Sequence, residues 1–160
     1  HGSLNVLENH QAVIFLIKSV FINVNFPIII AGKKPRKSLV DLIKKMPHIK
    51  LKADLPQDEM NDLIENAHCN VLYTFQQSGI KHKLLNAVYR GRFIVANQKM
   101  VSNSGLDSLV ILRNEADKIL EEIKEVQELE FNQSDIDKRK ALLLKDYNNV
   151  ENAKILAKYL

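Results

Sequence analysis

At 160 residues, 46% of them hydrophobic and 26% charged, the chain has the composition of a single globular domain. It is long enough to bury about two-thirds of the surface its unfolded form exposes. It shows no signal-peptide pattern and no apolar run near the ~20 residues that span a bilayer, and its lone cysteine, Cys69, excludes an internal disulfide and fits a reducing cytoplasm. The net charge of +4 permits contact with nucleic acid or an acidic membrane without arguing for either. Trp is absent and aromatic and basic residues do not interleave, which argues against a surface that stacks single-stranded bases.

In chain order, Gly2-Ser3 reads as a turn. A helix from about residue 6 to 22 follows, with Asn5 as its N-cap and Glu8 as the capping-box partner. Residues 26–31 form a continuous apolar run, which predicts a strand buried on both faces. A turn through Gly32, Lys33, Lys34 and Pro35 leads into a helix over about 36–46. Alternation at Ile49, Leu51 and Ala53 predicts a shorter strand nearer the sheet edge. Pro56 fits the first position of the next helix, whose apolar face is Met60, Leu63, Ile64 and Ala67.

Residues 69–97 are the stretch around which the rest is organised. An apolar run over 69–75 predicts a strand, and Gln76, Gln77, Ser78 and Gly79 make a turn. Ile80, Leu84, Leu85 and Val88 recur at helical spacing, Gly91 ends the helix, and a second apolar run covers 93–96. Such a strand–helix–strand unit makes a right-handed crossover between parallel strands. Its helix therefore starts at the carboxyl end of a strand, where open α/β sheets bind ligands. The free N–H groups of a first helical turn suit an anion, Gly79 permits close approach, and Lys81 and Lys83 add two cations. Those cations oppose the helix dipole, a conflict a bound phosphate removes.

After Asn97 come a polar loop over 98–105, a weak strand over 109–112, and a helix capped by Asn114. A break at 127–132 precedes an amphipathic helix from Ser134 or Asp135, an interruption at 147–149, and a last helix. Strands alternating with helices imply an α/β three-layer domain with a mostly parallel sheet.

The segment GIKHKLLNAVYRGRFIVA resembles the donor-site segment of retaining, two-domain (GT-B, group 1) glycosyltransferases of bacteria. HGSLNVLEN, PIIIAGKKP, MNDLIENAHCNVL and YNNVENAKIL extend that likeness along nearly all of the chain. The resemblance implies a Rossmann-like carboxyl-terminal domain, residues 1–160, that is a fragment of a larger enzyme with a missing amino-terminal acceptor domain. It places a central strand directly before Gly2, so the first strand is expected to be largely missing. The exposed sheet edges this leaves could pair chains into a dimer. It also implies transfer of a hexosyl unit from a nucleoside-diphosphate sugar, UDP- or GDP-linked, to a glycan or lipid-linked acceptor, with retention of configuration. For the parent enzyme it implies a cytoplasmic place, at the inner face of the membrane with peripheral association, in the building of cell-surface polysaccharide. This chain alone is expected to bind donor weakly and to catalyse nothing detectable.

The donor-binding residues on this reading are Gly2, Lys33, Gly79, Ile80, Lys81, Lys83 and Asn86. Lys81 and Lys83 would hold the diphosphate, whose negative charge grows as it leaves. No D-x-D pair or His cluster of metal-ligand spacing is read from the sequence, so no metal or other cofactor is expected. Asn86 stands where the family has a ribose-binding glutamate, and Ser78 where the partner glutamate falls. An amide can still hydrogen-bond a diol, but without charge assistance. Many relatives open the first helix with a diphosphate-binding lysine, where this chain has Glu8 and Asn9. Ala53-Asp54, Asn97 and the 102–105 turn also end strands on the ligand edge. Of the histidines, His82 stands apart because it lies between the two lysines. The competing readings are a non-catalytic α/β interaction module and a basic nucleic-acid binder. The strand ends at Gly32, Asp54, Gln76 and Asn97 lack the clustered acids of a receiver-type phosphoacceptor site, and no nucleic-acid partner is expected.

Overall fold

The computed structural model describes residues 1–77, 79 and 81–159. They form two compact units, residues 1–129 and 130–160. The first unit carries five strands, β1 (Ile28–Gly32), β2 (Ile49–Ala53), β3 (Cys69–Leu72), β4 (Phe93–Ala96) and β5 (Ile111–Leu112). Its helices are α1 (Leu7–Ser19), α2 (Lys37–Ile43), α3 (Gln57–Asn66), α4 (His82–Arg90), the short α5 (Gln98–Val101) and α6 (Ala116–Glu125). The second unit holds α7 (Gln133–Asp146) and α8 (Asn149–Ala157).

The fold is Rossmann-like α/β, and every strand pair is parallel. The strands fall into two separate sheets, β1–β2 and β3–β4–β5. On the edge of β1 away from β2 lies the short segment 2–4. Ser3 sits opposite Lys33 in a parallel bridge, Lys33 N–H donates to Gly2 O at 3.0 Å, and Leu4 N–H donates to Lys33 O at 2.7 Å. Gly32 makes this docking possible, since a Cβ there would collide with Gly2 O and the Leu4 side chain.

Periodicity explains the packing. Leu16, Ile17 and Val20 project from α1 and its end onto Ile30 of β1 and Ile49 of β2. Leu39 and Ile43 of α2, Ile119 and Ile123 of α6, and Val95 of β4 close the same core. α1 packs with α6, and α3 with α4. Phe15 of α1 meets Tyr73 and Phe75, just beyond β3, with ring centroids 4.7 and 5.7 Å away, which holds α1 to the end of β3.

Several expectations need correcting. β1 is not buried on both faces: Ile29 is 49% exposed and lies opposite the exposed Lys50. Asn5 does not cap α1. The N-cap is Val6, with no side-chain cap, because the Asn5 carbonyl is drawn away to accept from Arg36 Nε and Nη2 at 3.0 and 2.7 Å. β3 stops at Leu72, short of residue 75, because the Asn97 carboxamide takes over the pairing of Thr74, accepting from its N–H at 3.2 Å and donating to its carbonyl at 2.8 Å. Asn114 does not cap α6, whose N-cap is Glu115; its Oδ1 receives Gln98 N–H at 2.8 Å and so opens α5.

Candidate functional site

The carboxyl ends of β1 and β3 are brought together by one side chain that sequence reasoning did not assign, Asn9, the third residue of α1. Its Nδ2 donates to Ser3 O at 3.0 Å, on the segment docked against β1. Its Oδ1 accepts from Lys83 Nζ at 2.9 Å, at the opening of α4 beyond β3. Both helices therefore present their first turns, the positive ends of their dipoles, to one place. Gly2 fits beneath Asn9 with φ +134°, a conformation that favours glycine, and a Cβ there would lie 3.6 Å from Asn9 Nδ2.

Lys83 is half-buried. Desolvation lowers its ammonium from 10.5 to about 8, with the charge of Lys81 adding to the effect. Lys81 is the N-cap of α4, and its Nζ donates to Gln76 O at 3.0 Å, closing the loop that leaves β3. The same loop is pinned at its start by the Asn97–Thr74 clasp, and Thr74 Oγ1 receives Gln76 N–H at 3.2 Å. Two ammonium groups and two helix openings thus converge at one place, and among the described residues no carboxylate forms an ion pair with Lys83. That arrangement can hold a multiply charged anion.

Of the expected donor-binding residues, Gly2, Lys81 and Lys83 belong to this constellation. Gly79 lies in the turn before Lys81 with φ +87° and open space around its Cα. Asn86 is half-buried one turn along α4 from Lys83, on the same face. Lys33 contributes its backbone to the bridge with Ser3, and its side chain is exposed. Ile80 lies outside the described residues, as does Ser78.

The remaining candidates are engaged structurally. Asp54, with φ +54°, accepts Lys34 N–H at 2.8 Å and so fixes the turn after β1. Asn97 is buried in its clasp on Thr74. A ring nitrogen of His48 meets Phe21 O at 2.9 Å, one of His68 meets Val126 O at 2.6 Å, and one of His10 meets Ser38 Oγ at 3.4 Å. His82 is exposed as the first residue of α4. Contrary to the expectation from sequence, the chain does contain one D-x-D pair, Asp135 and Asp137; it lies within α7, where Asp135 closes the capping box and Asp137 accepts from Gln133. Among the described residues no group of three His, Cys, Asp or Glu side chains could hold a metal ion, and no helix is long and apolar enough to cross a membrane. A shallow cavity of about 390 Å³ lies elsewhere, between the end of β5 and α6. Its two cations pair with lining carboxylates, Arg113 with Glu122 at 2.6 Å and Lys118 with Glu121 at 2.8 Å.

The signal for Asn9 was present in the sequence only as a departure from the resemblance, an amide where many relatives have a lysine. The contact itself joins residues 74 positions apart, which no local pattern reports. Compared with known proteins, the chain matches no family model, no curated protein and no solved structure.

Proposed function

We propose that this chain is the donor-binding half of a retaining GT-B glycosyltransferase, and that the Lys81–Lys83–Asn9 site receives the diphosphate of a UDP- or GDP-linked sugar. The observation that carries the reading is the pair of ammonium groups at the opening of α4, one of them half-buried and lowered to about 8, directly beyond the carboxyl end of a parallel strand. A buried cation at the positive end of a helix is costly without an anion, and the two lysines supply the charge that a metal supplies elsewhere. As the sugar–phosphate bond breaks, negative charge accumulates on the departing diphosphate, and fixed ammonium and N–H donors lower that barrier. Asn86, on the same face of α4, would hydrogen-bond a ribose diol. The acceptor and any residue that handles it belong to the other half of the parent enzyme. The parent acts in the cytoplasm, at the inner face of the membrane, on a glycan or lipid-linked acceptor.

Thermal unfolding in the presence of UDP, GDP, ADP and their sugar conjugates tests this reading. Stabilisation is expected from one nucleoside diphosphate and not the others, and it should vanish in Lys81→Ala/Lys83→Ala. Equal response to all three, or a response that survives the double substitution, would remove the donor assignment.

A further inference from the structure

We propose that Asn9 is the positioning residue of this site: its carboxamide holds the Lys83 ammonium in place for a bound diphosphate while leaving its charge uncancelled. The inference rests on the anion-site reading above and adds a residue and a mode of regulation to it.

The geometry assigns both ends of the amide. Nδ2 donates to Ser3 O and Oδ1 accepts from Lys83 Nζ; the opposite orientation would set a donor against a donor. The anchor is rigid, because Ser3 is itself bridged to Lys33 at the end of β1. One of the three ammonium hydrogens is thereby fixed, and the others remain for a ligand. A carboxylate at this position would pair with Lys83 and neutralise it, whereas an amide orients without neutralising.

The charged group that acts on Lys83 is cationic. Lys81, from the turn before α4, disfavours its protonated form. An anion entering the site must therefore find Lys83 protonated or supply the proton with it. Binding weakens as pH rises past the point where burial and Lys81 make Lys83 lose its proton, and Asn9, as an acceptor from the ammonium, favours the protonated form.

The test is calorimetric titration of the whole chain with inorganic pyrophosphate, and in parallel with UDP, GDP and ADP, from about pH 6.5 to 10. For the wild type, affinity for pyrophosphate should be flat at low pH and fall through a midpoint near 8. In Asn9→Asp the midpoint should move up by about one pH unit, because an opposite charge favours the ammonium, while affinity at neutral pH drops about tenfold or more. In Asn9→Ala the midpoint should move down and affinity should fall about threefold to tenfold. A residue that merely supports the fold would weaken binding without moving the midpoint, so a common midpoint in all three proteins overturns the inference. Absence of pyrophosphate binding by the wild type overturns it as well. Pyrophosphate binding with the shifts described, but no preference among nucleotides, would sustain the role of Asn9 and remove the donor reading alone.

Discussion

Lys83 carries opposing demands in one side chain. Its fall from 10.5 to about 8 corresponds to at most roughly 3 kcal/mol withheld from the folded state. Because the folded value lies below the unfolded one, that cost is fully present below about pH 8 and disappears as pH rises toward the unfolded value. Lys83→Met should therefore be more stable than the wild type at pH 7, by roughly 1–3 kcal/mol in urea unfolding, and the difference should close above pH 8. Reading the difference between the two proteins matters. Burial pushes the Cys69 thiol from 9.0 up to about 12, so both proteins lose stability once the unfolded thiol ionises. A Lys83→Met protein less stable than the wild type at pH 7 would mean that the ammonium is adequately solvated without a ligand.

At the scale of elements, the segment 2–4 is the hinge of the account, since it anchors Asn9 to β1. In Gly32→Ala the new Cβ would meet Gly2 O and Leu4, and Leu4 is fully buried. The substitution should cost about 2 kcal/mol or more. It should also weaken anion binding, because Ser3 would no longer hold Asn9; unchanged unfolding and binding would show that the segment is not docked as described. The sequence made most of the elements legible: helical spacing at Ala12, Leu16 and Ile17 and at Ile119 and Ile123, and apolar runs at β1, β3 and β4, each correspond to an observed element. Three of its misses share one cause. Asn5, Asn97 and Asn114 look like caps or ligands locally, yet each is claimed by a distant partner, Arg36, Thr74 and Gln98. Long-range claims, on the main-chain carbonyl of Asn5 and on the side chains of Asn97 and Asn114, leave no periodic trace. The lysines at the opening of α4 were legible for the opposite reason, as a local violation of the dipole preference.

Taken as a whole, the first unit is a parallel α/β arrangement in two sheets whose strand ends bear different chemistry. The exposed lysines 33, 34, 50 and 52 cluster about β1 and β2, and the enclosed lysine cluster lies beside the start of α4. A basic surface that binds polyanions without selection would use the former; a diphosphate site uses the latter. The most direct discrimination is an amide NMR titration of the isotope-labelled chain with UDP, GDP and ADP. One nucleotide should shift the backbone signals of Gly2, Gly79, Lys81 and Lys83 and the side-chain amide of Asn9 at substoichiometric to stoichiometric additions. Shifts confined to residues 33–37 and 50–52 and alike for all three nucleotides, or no shifts at all, would contradict it.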